Sequence, residues 1–303
     1  AGDEIQSRER AQALGFLEAA NGLGKVISPL AGAALALISW WTPFFVYGAL
    51  SFPIAAAVVW CASEKRKPSG AAQSLPEYFR NLARIIRGKG AALLLAFLAG
   101  MAVLFTLFGV LSFFSDVLEK TYHIQVFGRG LILALPVLAM AGTSFILGTV
   151  LKKKPAALIK PFIFTGLLLV AGGLALFALL PTAKWGMIPP ILATILVGLG
   201  TGASLPPLNT LITSAAPRKE RGGVTCLYGT VRFFGVAIGP PVFALGMKGL
   251  RLPLYLGIAG GVAALAALCL LIVNPGRLLP KNIAEGENRS QRREDDWDPS
   301  EGI

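Results

Sequence analysis

The chain has 303 residues, of which 54% are hydrophobic and 15% are charged, and it carries a mean hydropathy of +0.67 and a net charge of +12. Soluble domains contain roughly a quarter charged residues, so this composition excludes a soluble globular protein and indicates an all-α polytopic membrane protein. The long apolar stretches also argue against a nucleic-acid partner, which the positive charge alone would suggest.

Eight stretches are long and apolar enough to cross a bilayer, which requires about 20 mostly apolar residues per helix. In chain order, the predicted helices α1 to α8 cover residues 12–37, 43–61, 91–115, 129–151, 161–181, 187–211, 223–246 and 253–274. Because the number of crossings is even, both termini are expected on the same side of the membrane.

The basic residues indicate which side that is. Most of the 28 Lys and Arg residues fall in the N-terminal arm, in the tail, and in the segments that follow α2, α4 and α6. The basic residues in the segments on the opposite side are Lys120, Arg129, Lys184, Lys248 and Arg251. Since cytoplasmic loops are enriched in Lys and Arg, the sequence predicts a multi-pass protein of the cell membrane with both termini in the cytoplasm.

The chain divides into four predicted segments. Residues 1–61 hold the first two helices, residues 62–90 a cytoplasmic linker, residues 91–274 six further helices, and residues 275–303 a polar tail that we expect to be disordered. Within the linker, Ser74-Leu75-Pro76-Glu77 matches a capping box and predicts a short amphipathic helix at the membrane surface. An equally good interpretation is a basic cytoplasmic loop with no further role.

Two of the helices repeat the same pattern of residues. Glu9-Arg10, Gly24 and Pro29 recur, in the same order and spacing, as Glu220-Arg221, Gly235 and Pro240. Both copies run from a charged start into an apolar stretch with small residues and a proline. A duplicated helical half is a common architecture of secondary transporters.

The first copy carries a longer motif of small residues. Its positions in α1 are Gly15, Gly24, Ser28, Pro29 and Gly32, followed by Ala33, and the weaker copy in α7 consists of Gly235, Gly239 and Pro240. The α1 motif resembles, in its complete spacing, the fifth-helix signature of the drug–proton antiporters of the major facilitator superfamily. It departs from that signature at positions 28 and 33, where the family usually has glycine; both replacements are small enough for close helix packing.

The resemblance extends over nearly the whole chain except the tail. Residues 21–29, 206–210 and 227–233 are similar to bacterial multidrug exporters and to their siderophore-exporting relatives. Members of that family have twelve helices, so the resemblance implies that this chain holds helices five to twelve. The expected partner is then the N-terminal helices of the same protein, and the chain is expected not to transport by itself.

Charged residues within membrane helices are the strongest candidates for function, because each is costly unless it is paired or hydrated. Glu18 and Lys25 share one stripe of α1, with Asn21 beside it, and Arg232 occupies in α7 the position that Asn21 has in the repeat. We expect these side chains to face a cavity and Glu18 to bind the transported proton. Alternatively, Glu18 is simply hydrated at the interface, and the two cations pair with carboxylates elsewhere.

Two uncharged polar residues complete the predicted cavity. Asn209 follows Pro206-Pro207, whose freed carbonyls suit a flexible, cavity-lining segment, although a gentle structural kink is the favoured explanation of the prolines. Tyr228 belongs to the α7 stretch that resembles the exporters. The acidic residues at the end of α3, Asp116 and Glu119, are expected to be solvated at the surface.

The motif glycines and prolines also have two interpretations. Small residues allow close packing of membrane helices, and proline can kink a helix. The family resemblance implies that the motif helps to hold one access state closed, whereas plain packing explains the same residues without a functional role.

Together these observations predict a proton-coupled exporter of small amphipathic molecules or drugs that works by alternating access in the lipid bilayer. The alternatives are export of a siderophore or another anionic metabolite, and a non-transporting remnant or membrane scaffold. The sequence contains no recognisable nucleophile–base pair or phosphate loop, and Cys61, Cys226 and Cys269 lack metal-ligand spacing. We therefore expect no enzymatic activity, cofactor, metal or nucleic-acid partner.

Overall fold

A computed structural model describes residues 24, 27–28, 31–61, 90–151, 155–180, 186–215 and 221–273. In α1, residues 24, 27–28 and 31–36 are helical. The other helices are α2 Thr42–Cys61, α3 Gly90–Lys120, α4 Val126–Leu151, α5 Pro155–Leu179, α6 Ile188–Ala215, α7 Arg221–Ala244 and α8 Arg251–Ile272. A single 3₁₀ turn, Leu245–Lys248, connects α7 to the start of α8.

The all-α prediction is confirmed. No strand occurs among the described residues, and seven of their helices, α2 to α8, are long and apolar enough to cross a membrane. Most of α1, the amphipathic helix predicted in the linker, and the tail lie outside the described residues, so the division into four segments stays a prediction.

Two helix boundaries differ from the prediction by five residues or more. α3 continues to Lys120 instead of ending at residue 115, and α5 begins at Pro155 instead of residue 161. Hydropathy locates the part of a helix that matches the hydrocarbon core, whereas the helix itself continues through polar residues until its hydrogen bonds end. The longer α3 matters because it places Asp116 on a helix instead of in a loop.

Helices α3 to α8 form one bundle around a shared apolar core. α3 packs mainly on α7 and α6, α6 lies between α4 and α5, and α5 also packs on α8. The core side chains with almost no exposed surface include Leu93, Leu107, Leu167 and Leu208. In contrast, no residue in the most apolar window of α2 is buried against the rest of the chain.

Glycines allow α6 to approach two neighbouring helices. A Cβ atom at Gly198 would overlap the backbone carbonyl of Pro136 in α4. On another side of α6, a Cβ at Gly200 would lie 2.5 Å from the carbonyl oxygen of Gly166 in α5. Small residues at such contacts bring helix backbones together, which is the usual basis of helix association in membranes.

Aromatic side chains and one arginine close the end of the bundle at the α3–α4 loop. The rings of Phe113 and Tyr255 pack edge to face at 5.3 Å between centroids. Arg251, at the start of α8, donates hydrogen bonds of 2.6 Å from Nη2 to the carbonyl oxygens of Phe177 and Leu180. These bonds satisfy carbonyls at the C-terminal end of α5 that have no partner within the helix.

Candidate functional site

Three of the predicted cavity residues meet between α6 and α7. Arg232 Nη1 donates a long hydrogen bond of 3.4 Å to Asn209 Oδ1. The Cζ atom of Arg232 also lies 5.3 Å from the centre of the Tyr228 ring and 5.4 Å from that of Phe233, within the range of cation–π attraction. α6 and α7 contact each other far less than α3 and α7 do, so Arg232 makes one of the main contacts between α6 and α7. We call Arg232, Asn209 and Tyr228 the arginine cluster.

The arginine cluster has unused hydrogen-bonding capacity. Arg232 Nε is buried and has no hydrogen-bond partner within the described part of the chain. The Tyr228 hydroxyl is buried beside the guanidinium and makes no well-aligned hydrogen bond with the described residues. Buried polar groups are nearly always satisfied, and this Nε is an exception within the described residues. No carboxylate of the described residues forms an ion pair with Arg232. The one ion pair among the described residues joins Arg129 and Glu119.

Close packing of α3 on α7 holds Tyr228 in place. The end of the Tyr228 ring lies over Gly100 of α3, and its ring centroid is 5.5 Å from that of Phe97. Further along α7, a Cβ at Gly235 or at Gly239 would lie 2.6 Å from a carbonyl oxygen of α3, that of Met101 or Phe105 respectively. The α7 copy of the motif therefore serves this close approach.

A separate cavity of about 710 Å³ lies between α1, α3 and α4. Motif residues Gly24 and Ser28 of α1 line one side, and Pro240 of α7 also reaches it. On α3, its wall includes Phe108, Ser112, Ser115 and Asp116. We call this space the α1–α3 cavity.

Asp116 differs from the expectation of a solvated surface residue. It is half-buried and lines the α1–α3 cavity. The neighbouring Glu119 is exposed, and its carboxylate pairs with Arg129 Nη1. The sequence signal for this placement is the spacing of Ser112, Ser115 and Asp116, which puts the three residues on one helix face.

The two copies of the glycine motif have different surroundings. Gly235 and Gly239 are packed against α3, whereas a Cβ at Gly24 would meet no atom within 4 Å. A Cβ at Gly32 would lie 3.7 Å from the Tyr47 hydroxyl, which is an ordinary contact. That hydroxyl donates a hydrogen bond of 2.9 Å to the carbonyl oxygen of Ser28 and so ties α2 to α1.

The remaining predicted site residues lie outside the described part of the chain; they are Gly15, Glu18, Asn21, Lys25 and Pro29. The shared stripe of Glu18 and Lys25, and the proton-binding role of Glu18, therefore stay predictions. Among the residues that are described, no group of three or more His, Cys, Asp and Glu side chains could hold a metal ion.

Comparison with known proteins identifies the family. The family model described as Major Facilitator Superfamily matches residues 1–240 and 191–295. The chain belongs to the major facilitator superfamily. Its architecture agrees with a solved structure, a bacterial homolog of the human lysosomal transporter Spinster, at a TM-score of 0.56 and 16% sequence identity. That match covers 98% of this chain and 74% of the other, and at this identity it concerns the fold alone.

Two curated relatives of this superfamily member are exporters by name, and both come from Bacillus subtilis (strain 168). A bacillibactin exporter is 33% identical over 231 residues, which cover 76% of this chain and 56% of the relative. The multidrug efflux protein YfmO is 31% identical over 234 residues, covering 76% of this chain and 54% of the relative. The chain thus spans about half the length of the curated relatives it matches.

Proposed function

We propose that this protein exports small amphipathic molecules that carry an acidic group, and that Arg232 binds that group. Transport would proceed by alternating access, in which two helical halves rock about a central site. The observation that carries this proposal is the half-buried Arg232, whose buried Nε has no hydrogen-bond partner among the described residues and whose neighbours in the arginine cluster are neutral.

The energetics of the arginine cluster favour an anionic ligand. A cation inside the bilayer is costly unless it is paired, and a long bond to an amide together with two ring contacts compensates only part of that cost. A carboxylate or phenolate on a substrate would complete the pairing, since charge-assisted bonds to guanidinium are among the strongest in proteins. The cluster joins α6 and α7, which contact each other weakly. A substrate bound at the cluster would therefore strengthen or weaken the contact between these two helices.

The relatives support export and agree with either class of substrate. A relative named as a bacillibactin exporter is in keeping with an anionic metabolite, and one named as a multidrug efflux protein is in keeping with broader amphipathic substrates. The same proposal includes proton coupling, with Glu18 as the group that binds the proton. It also includes location in the plasma membrane, with both termini in the cytoplasm. In that orientation, the loop between α6 and α7 faces the cytoplasm.

The charge preference of transport tests this proposal. The protein, expressed from its own gene, is reconstituted in vesicles, and initial rates are measured for bacillibactin and for the cationic dye ethidium. Arg232→Gln is expected to lower the rate for the anionic substrate at least about tenfold, because a bond to a charged group contributes about 1.5–3 kcal/mol. Arg232→Lys, which keeps the charge, should retain part of the rate.

Arg129→Gln provides the matched control, because it removes an arginine that pairs with Glu119 outside the cluster. Its anion transport should resemble that of the parent. Equal anion and cation rates in both the parent and Arg232→Gln would refute the anionic-substrate proposal. Complete absence of transport for every substrate would favour the scaffold alternative instead.

A further inference from the structure

We propose that a groove between α7 and α8 binds an acyl chain of a membrane phospholipid at a defined site near the middle of the bilayer. α3 forms the floor of this groove with Met101, Ala102 and Phe105, and we call it the α7–α8 groove. This site goes beyond the proposed function, because its ligand is a component of the membrane and is not transported. The shape, the chemistry and the depth of the groove all favour this ligand.

A gap between two helices that share a neighbour creates the groove. α7 and α8 both pack on α3, but they hardly contact each other in the described part of the chain. Gly235 brings α7 close to α3, since a Cβ there would lie 2.6 Å from the carbonyl oxygen of Met101. On α8, Gly261 is exposed, and a Cβ there would meet no atom within 4 Å. The space, of about 230 Å³, is therefore open at Gly261.

The side chains that line the groove are apolar. Ile238 on α7 and Ile258, Val262 and Leu265 on α8 form its walls, and none of the lining residues carries a charged, hydroxyl or amide group. A water molecule needs two to four polar partners to remain in a cavity, so water does not fill this space. An empty groove is also unfavourable, because the atoms that line it lose their contacts. Hydrocarbon is the material that satisfies both conditions.

The depth of the groove determines which part of a lipid reaches it. The membrane span of α8 is Arg251–Ile272, and its groove residues, 258–265, occupy the middle of that span. At 1.5 Å of rise per residue they cover about 10 Å, centred in a hydrocarbon core about 30 Å thick. Phosphate groups therefore stay about 10 Å beyond either end of the groove, and an acyl chain enters it. The volume of about 230 Å³ is below the range of about 300–1,000 Å³ for compact ligands, which also favours a slim chain.

The groove opens toward lipid and not toward α1. On α7, Ile238 lines the groove, whereas Pro240 lines the α1–α3 cavity. Two residues correspond to about 200° around a helix of 3.6 residues per turn, so these side chains lie on opposite sides of α7. α7 therefore separates α1 from the groove. Leu268, two turns beyond Gly261 on the same face of α8, is exposed, so the apolar surface of the bundle that meets lipid continues into the groove.

Photolabelling with two phospholipids tests the site. Both carry a single diazirine, one at the end of an acyl chain and the other next to the glycerol. Each is titrated into the detergent-solubilised protein, expressed from its own gene, and the labelled residues are mapped by mass spectrometry. The chain-end probe should label residues 258–265 of α8 and Met101 of α3, and this labelling should saturate at one lipid per chain. The probe next to the glycerol should label the helix ends instead.

Three variants assign the labelling to this groove. Gly261→Leu fills the space and should lower chain-end labelling at least about tenfold, because each displaced methylene contributes about fourfold to binding. Gly260→Leu is the matched control: this neighbouring glycine is exposed, a Cβ there meets nothing within 4 Å, and it does not line the groove. Ile238→Trp fills the groove from α7 and should act as Gly261→Leu does, which distinguishes filling of the groove from a folding defect in α8.

Thermal unfolding of the delipidated protein gives a second readout that does not depend on transport. Added phospholipid should raise the unfolding temperature of the parent and of Gly260→Leu, because a ligand that binds the folded state stabilises it. Gly261→Leu should gain less, since its own side chain already occupies the groove. Labelling of Gly261→Leu equal to that of the parent would overturn the proposal. So would labelling that rises without saturation and is equally strong at the outward-facing Leu271, which would show ordinary contact with the bilayer.

Discussion

Replacing Gly100 with alanine should disturb the arginine cluster without substituting any of its members. In the structure, a Cβ atom at this position would lie 2.5 Å from Cε2 and 2.8 Å from Cζ of Tyr228, and closer still to its hydroxyl. Real Cβ atoms do not approach other atoms this closely, so the Tyr228 ring has to move. Since that ring lies against the Arg232 guanidinium, the displacement would reach the proposed anion site.

The expected change in stability is the difference between two opposing effects. Extra atoms in a packed core cost about 1–3 kcal/mol, whereas replacing glycine by alanine inside a helix stabilises it by up to about 1 kcal/mol. We therefore expect Gly100→Ala to lower the free energy of unfolding by about 1–2 kcal/mol. Gly142→Ala, in α4, is the matched control, because a Cβ there meets nothing within 4 Å.

Thermal unfolding in detergent, followed by circular dichroism, measures this effect, and vesicle transport measures its consequence. Gly100→Ala should unfold at a lower temperature than the parent and transport the anionic substrate more slowly. Adding Tyr228→Phe removes the nearest atom and should recover part of the lost stability, as expected for residues in direct contact. If Gly100→Ala were as stable and as active as Gly142→Ala, the described packing of Tyr228 would be wrong.

Two further variants test the packing of the bundle. Gly198→Ala should destabilise the protein more than Gly100→Ala does, because its Cβ would overlap the backbone of Pro136, which cannot rotate away as a side chain can; equal unfolding temperatures would contradict this. Arg251→Gln should lower the free energy of unfolding by about 1–3 kcal/mol in the same assay, since it leaves the carbonyls of Phe177 and Leu180 without their donor. An unfolding temperature like that of the parent would show that water replaces the arginine.

Much of the fold can be predicted from the sequence because the bilayer restricts the possibilities. A run of about 20 apolar residues has to be a helix when no water can satisfy its backbone. For the same reason, hydropathy alone predicts α6 and α8 to within a few residues of their observed bounds. It places the end of α3 too early, because the helix continues beyond its apolar part into Asp116 and Glu119.

The candidate site is harder to predict because it depends on how helices rotate and pack. The cost of a buried charge singles out Arg232 from the sequence, and the neighbouring prolines draw attention to Asn209. Their contact, however, follows from the approach of α7 to α3 at Gly235 and Gly239, which orients α7. Asp116 is missed for a related reason: whether a polar residue near a helix end faces water or a cavity depends on the neighbouring helix.

Uptake of bacillibactin into inside-out membrane vesicles is the most direct test of the central claim, that this member of the major facilitator superfamily exports anionic amphipathic molecules. The vesicles contain the protein expressed from its own gene, and a proton gradient, acidic inside, is imposed across the membrane. Accumulation that requires both the gradient and Arg232 is the predicted result. Accumulation no greater than in vesicles without the protein would contradict the account.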